Sequence, residues 1–310
     1  MTKSIFSALA TVSLISPAVA QQVKENINTP QVLIMTEDDS FKAWIVNSAG
    51  RELRYTETEN STDYVDARIS SVNVYFLEPS AFAEAMGLYR SRNYKEAHTA
   101  FAKCAALYEK FEEIPGNYSS LATFYQMECS RKLEDLATLE AEMEKFIATP
   151  LLNNQHKLQL EINKVFWDAV RTKAWERLIS IGKEPEWAER KLAGSLRAQV
   201  NYCLALAYEG VKEPIRALNA YNGTFVADFA ASEVLTSKSA LACLRILKGH
   251  EDVVLAMKLF GTDEYSENSN GAFLLREGVA LVKLWDKSLG CGAELPEEYK
   301  VFLKYDQKEG

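Results

Sequence analysis

AFAEAMGLYRSRNYKEAHTAFAKCAALY, residues 81–108, is the stretch that decides the fold. Ala85, Leu88 and Tyr89 recur at helical spacing before a polar turn, Arg92-Asn93-Tyr94. Ala97, Phe101 and Cys104 recur at the same spacing after it. That pattern predicts two amphipathic helices packed back to back, with small residues where they cross. The register returns downstream as Leu204-Ala205-x-x-Tyr208 and Ala217-x-x-x-Tyr221. In both stretches the small residues are twelve apart, Ala85 to Ala97 and Ala205 to Ala217. A small side chain lets two helices approach closely, and an aromatic fills the gap to the next pair.

Between these stretches and after them, less regular pairs can be read. Leu121, Phe124, Tyr125, Met127 and Cys129 mark one helix, and Leu133, Leu136, Leu139, Met143 and Phe146 its partner, ended by Thr149-Pro150. Leu158 to Val170 and Ala174 to Ile181 form another pair, with Phe166, Trp167 and Trp175 unusually bulky. Leu241 to Leu247 and Val253 to Leu259 follow, then Phe273 to Leu281 with its Gly278-x-x-Leu281, and Pro296 starts a closing helix. The chain thus resembles the tetratricopeptide repeat family over roughly residues 80–290, with two well-matched units and four degenerate ones. The resemblance implies a mainly α solenoid of antiparallel helix pairs with a period of about 34 residues. On that period, Ala97 and Ala217 are about three and a half repeats apart, with longer loops between.

In this family the first helix of each pair lines a concave groove. The resemblance therefore assigns Phe82, Met86, Tyr89 and Arg90 to the groove in one repeat, and Gln199, Tyr202, Leu206 and Glu209 in the other. Aromatic and mixed polar side chains of this kind suit an extended peptide or a helix. The carboxylate-clamp subtype needs Lys and Asn where this chain has Phe82 and Met86, so capture of an acidic C-terminus is not expected. Exported members of the family act as scaffolds in envelope complexes, including companions of Tol- or Exb-type machinery.

Upstream of Glu78-Pro79 the hydrophobic period is two. Val32 to Met35, Phe41 to Val46, Leu53 to Tyr55, Val65 to Ile69 and Val72 to Phe76 read as five short strands, with Asn47-Ser48-Ala49-Gly50 as a turn. Five short strands over residues 31–78 resemble SH3-like or Sm-like barrels, which close to hide their edges. The expected role is a structural cap on residues 79–310. RNA binding, common among Sm-like barrels, is disfavoured by a net charge of −8 and by export.

Composition agrees with this division. Hydrophobic residues make up 47% of the 310, and only 14 Gly and 8 Pro interrupt them, which favours long helices. Lys3, the apolar run Ile5 to Ile15 and Ala18-Val19-Ala20 have the three parts of a secretory leader spanning residues 1–20, followed by a polar lead-in over 21–30. No stretch reaches the ~20 apolar residues needed to span a bilayer, so a soluble periplasmic or secreted protein is expected. The five cysteines lack zinc or redox spacing. Four of them lie in apolar helical patterns as small buried side chains, with Cys104–Cys129 the first candidate if any pair bridges.

Chemistry is hard to find. There is no G-x-S-x-G, H-E-x-x-H, Walker or dinucleotide signature, and the lone Gly290-Cys291-Gly292 reads as a turn. His98, His156 and His250 stand apart from other ligand types, and Glu140, Glu142 and Glu144 read as a solvated face. The expectation is a non-catalytic scaffold without cofactor or metal, binding a protein or peptide partner and no nucleic acid. A glycoside-active or other envelope enzyme on a helical scaffold is the alternative. The leader makes a direct prediction: mass spectrometry of the exported protein should find Gln21 at its N-terminus. Recovery of residues 1–20 on the mature chain would refute the cleavage site.

Overall fold

A computed structural model describes residues 29–227 and 233–306. The expected leader over 1–20, most of the expected lead-in over 21–30 and the last residues of the chain lie outside the described residues. Five strands come first: β1 (Gln31–Met35), β2 (Ser40–Ala49), β3 (Glu52–Thr56), β4 (Val65–Arg68) and β5 (Asn73–Phe76). They form one antiparallel sheet in the order β4-β3-β2-β1-β5. Alternation sets its buried face: Val32 and Ile34, Ala43 and Ile45, Leu53 and Tyr55, and Val74 all point inward. The β2–β3 hairpin closes through Gly50 and Arg51, both at positive φ (60° and 72°). Two such residues match the right-handed twist of the flanking strands.

The sheet is not a closed barrel. Strands β4 and β5 stand at opposite edges instead of pairing. The physical reason lies in what covers the apolar face. Helices α1 (Ser80–Arg90), α2 (Tyr94–Leu107) and α3 (Tyr118–Lys132) share one hydrophobic core with it. Ile34, Ile45 and Leu53 belong to the same buried cluster as Phe82, Ala97, Phe101 and Cys129. With helices covering the inner face, the strands do not have to close on themselves to bury it.

The helices continue as α4 (Leu136–Lys145), α5 (Asn154–Ile162), a π-turn (Asn163–Trp167), α6 (Asp168–Arg171), α7 (Trp175–Lys183), the single turn α8 (Pro185–Ala188), α9 (Gly194–Gly210) and α10 (Pro214–Ala227). Then come α11 (Glu233–Gly249), α12 (Glu251–Leu259) and α13 (Asn270–Leu284), followed by a second π-turn and a closing 3-10 helix (Glu297–Tyr305). The chain is therefore mainly helical, in antiparallel pairs, behind a small N-terminal sheet.

Four of the pairs share one turn. Arg92, Glu134, Lys173 and Lys212 all adopt positive φ, between 54° and 64°. Around each, the same two hydrogen bonds close the helix end. Arg92 N–H donates to the Tyr89 carbonyl and Asn93 N–H to that of Leu88; Glu134 and Asp135 do the same to Arg131 and Ser130. Lys173 and Ala174 donate to Val170 and Ala169, and Lys212 and Glu213 to Glu209 and Tyr208. This is a Schellman cap, which satisfies carbonyls that a helix end leaves open. The four left-handed residues are 42, 39 and 39 positions apart. The structural period is thus about forty residues, not the 34 expected, and Ala97 and Ala217 are three full turns of it apart.

Counting from these turns aligns the crossing points. Seven positions before each stand Ala85, Met127, Phe166 and Ala205, and five after stand Ala97, Leu139, Leu178 and Ala217; none is more than 3% exposed. The fifth pair turns differently, with the His250 ring capping α12 by accepting from Asp252 N–H. At the far end Gly278 seats the closing helix: a Cβ there would lie 2.4 Å from the Phe302 ring.

A left-handed residue other than glycine is strained by roughly 1–2 kcal/mol. Lys173→Gly and Lys212→Gly should each relieve that strain, for a net gain of about 0.5–1 kcal/mol once glycine's extra unfolded-state entropy is subtracted. Chemical denaturation would measure it, and a loss of stability in both variants would refute the turn assignment.

Candidate functional site

The residues assigned to a groove do not form an open one. Phe82, Gln199 and Tyr202 are buried. Phe82 packs against Phe101, Tyr118 and Tyr125 at ring distances of 5.6, 4.8 and 5.9 Å. Tyr202 lies between Trp167 and Tyr221, and Gln199 makes reciprocal amide hydrogen bonds to Gln159, 2.8 Å each, while accepting from Trp167 Nε1 at 3.0 Å. Met86, Tyr89, Leu206 and Glu209 are half-buried, and Glu209 is held by Arg245 and the Tyr221 hydroxyl. Arg90 alone of the eight is exposed. The cause is how closely neighbouring helices pack. The first helices of successive pairs meet face to face, and Lys238 on α11 reaches Glu134 in the α3–α4 turn at 2.7 Å.

Where those faces meet, the interior is polar. Glu128 and Arg131 on α3 form a two-pronged ion pair, 2.9 and 2.6 Å, with side chains 8% and 4% exposed. Arg131 also lies over the Trp167 ring at 5.9 Å. Burial by itself would raise the Glu128 pKa, but Arg131 overrides it and, with Lys132 and Asn163 nearby, holds the carboxyl below the usual glutamate value. His156 stacks on Phe124 at 4.3 Å, and burial lowers its pKa against a weaker opposing pull from Glu128. No disulfide joins the five cysteines, Cys104 and Cys129 included, and burial pushes Cys129 up to about 12. Cys104, Cys129, Cys203 and Cys243 are buried as small side chains, and Cys291 is partly buried.

Two of the concavities among the described residues flank this interior. The larger, about 650 Å³, opens where the sheet meets the second helix pair. Arg51 of the β2–β3 turn and Ile69 and Ser70 after β4 form one wall. The other is built by Glu112, Glu113 and Pro115, by Ser119, Ser120 and Thr123 of α3, and by Lys145, Phe146, Ile147, Thr149 and Pro150 at and after the end of α4. Asn117 fixes the start of α3 there, accepting from Ser120 N–H at 2.7 Å. Ile147 is 62% exposed at the rim. Glu142 reaches the cleft from α4, held by His98 at 2.7 Å and by the Ser130 hydroxyl at 2.9 Å. The smaller cavity, about 520 Å³, runs along α4, the first π-turn and α6. Its Arg171 bridges Asp168 and Glu140. Sequence reading missed the larger cleft because its walls come from four segments distant in the chain; the apolar pair Phe146-Ile147 before Pro150 was the one local signal.

No helix among the described residues is long and apolar enough to cross a membrane. No group of three or more His, Cys, Asp or Glu among them is placed to hold a metal ion. No protein-family profile, curated protein or solved structure matches the chain.

The buried pair predicts a strong asymmetry under mutation. Arg131→Met leaves Glu128 buried and unpaired and should cost about 3–5 kcal/mol, whereas replacing both with apolar residues should cost far less. Because the folded pKa of Glu128 is depressed, its contribution is complete above the ordinary value of 4.5 and is lost as pH falls below it. Denaturation between pH 3 and 7 should show that loss in the native chain and not in the doubly apolar variant.

Proposed function

We propose that the chain is a non-catalytic, tetratricopeptide-like scaffold of the bacterial cell envelope that holds a protein partner through an extended segment. The observation that carries this reading is the cleft between the sheet and the second helix pair. Ile69, Pro115, Phe146, Ile147 and Pro150 give it an apolar floor and rim, with Ile147 exposed, and the hydroxyls of Ser119, Ser120 and Thr123 and the charged Arg51, Glu112, Glu113, Glu142 and Lys145 surround them. Concave surfaces that combine apolar area with placed polar groups are how proteins bind ligands specifically. An extended peptide suits it better than a bulky helix, since side chains on one face of a strand-like segment can enter while its backbone meets the hydroxyls.

Glu142 in the larger cleft is engaged by His98 and Ser130, and Glu140 in the smaller by Arg171, which favours binding over catalysis by these two carboxylates. The envelope location rests on the leader, and companionship with Tol- or Exb-type machinery rests on the resemblance.

The test is site-specific. A photoreactive phenylalanine analogue at Ile147 should give discrete protein adducts in envelope preparations, and the same analogue at exposed Glu96 on α2 should not. Phe146→Asp should abolish the Ile147 adducts while helical circular dichroism is retained. If the Ile147 position yields no more adduct than Glu96, the cleft does not bind the partner.

A further inference from the structure

Strand β4 is an edge strand. It pairs with β3 alone, with Glu52 opposite Arg68 and Tyr55 opposite Val65 at the two ends of the register. Ile69 N–H donates to the Arg51 carbonyl at 2.9 Å, so Arg51 and Ile69 form a hydrogen-bonded pair. Such pairs alternate with non-bonded ones along an antiparallel ladder. Val65 and Ala67 therefore turn their backbone groups toward β3, and Asp66 and Arg68 turn theirs away from it. The Arg68 carbonyl accepts from the Ser71 hydroxyl at 2.8 Å. Among the described residues the Asp66 N–H, the Asp66 carbonyl and the Arg68 N–H meet no partner, and both residues are exposed. The side chains sort by face. Val65, Ala67 and Ile69 lie on the inner side with the buried Tyr55 and Leu53, and Asp66 stands on the outer side, held by Arg54 at 2.8 Å. The inner side is unfinished here, since Val65 is 38% exposed and Ala67 and Ile69 are half-buried. Ile69 and Ser70, directly after β4, are a wall of the cleft, so the free edge leads into it.

We propose that the partner's segment adds to the sheet as a sixth strand on the free edge of β4 and runs past Ile69 into the cleft. The inference rests on the cleft being the partner site and names how the partner is recognised. Backbone hydrogen bonds to Asp66 and Arg68 give affinity that any extended segment can use, and its alternate side chains give specificity. A helix cannot use this edge, because its own backbone groups are already bonded to one another. On a strand, every second side chain faces inward. Those side chains cover Val65 and Ala67 and then reach Ile69, Phe146 and Ile147 in the cleft. The segment is therefore one in which apolar and polar residues alternate. The edge offers it three hydrogen bonds over a strand of four residues. So short an edge guards against pairing with any passing strand, which leaves the choice among strands to the cleft.

Proline at one position tests this directly. Arg68 has a φ of −75°, which proline adopts, and its N–H points away from β3. Arg68→Pro thus deletes one donor from the free edge and leaves the β3–β4 ladder whole, while Arg68→Ala removes the charge and keeps the donor. The full chain carries the photoreactive phenylalanine analogue at Ile147 and is irradiated at limiting concentration in envelope preparations. Arg68→Pro should lower the adduct yield by about fivefold or more, the weight of one hydrogen bond, and Arg68→Ala should leave it nearly unchanged. Placed instead at Tyr64, which is 52% exposed just before β4, the analogue should label the same partner. Its adduct should map within roughly ten residues of the Ile147 adduct, the reach of a strand between the two positions. If Arg68→Pro keeps native circular dichroism and the full Ile147 yield, strand addition is overturned and the cleft remains the partner site. Tyr64 adducts that are absent, that map to a different protein or that join a second copy of this chain would overturn it equally, and they do not depend on the proline variant folding. Failure of the native chain to form Ile147 adducts would overturn both readings.

Discussion

The structure turns on α3 being buried from both sides. Ala122 and Cys129 belong to the core shared with the sheet, and Phe124 and Met127 to the core of the remaining array. Leu121 and Tyr125 pack against both. A helix enclosed in this way has no solvent face for its polar residues. Glu128 and Arg131 must therefore satisfy each other, one turn apart on the same helix, and Ser130 must find Glu142 on α4. A buried charge without a partner would cost more than most single contacts in the fold return.

The enclosure has consequences at both ends of the molecule. On the sheet side, α1–α3 cover the apolar face, so an open five-stranded sheet suffices where a closed barrel was expected. On the helical side, Gln159, Trp167 and Gln199 meet between α5, the first π-turn and α9. That contact fills the place where the expected repeat would carry its groove. Concave surface remains at the junction of sheet and array, where two different architectures cannot pack flush. The end of α3 escapes full burial, and there Lys132 emerges against two tyrosines.

Much of this was legible in residue patterns, because patterns of period two and 3.6 report local structure directly. The five strands, the hairpin at Gly50, the helices around Ala85, Ala97, Ala205 and Ala217, and the closing helix after Pro296 all stand where the alternation and the small residues put them. The true repeat length was not legible. Its marker is a left-handed residue at the end of each first helix, and the usual sign of that conformation is glycine. Here the positions are Arg92, Glu134, Lys173 and Lys212, which look like any solvated charge. Leu139, Leu178, Met127 and Phe166 hid the register further by standing where alanine stands in the other pairs.

Sequence by itself determined which segments are strands and which are helices, since each depends on spacing within some ten to thirty residues. Tertiary structure alone decided which faces meet. Phe82, Gln199 and Tyr202 carry the same amphipathic signal whether they line a groove or fill a core, and the rings and amides that neighbouring helices pack against them decided for the core. The same holds for Glu128 and Arg131, whose spacing on one helix allows an ion pair anywhere; what buries that pair is the packing of other segments against α3.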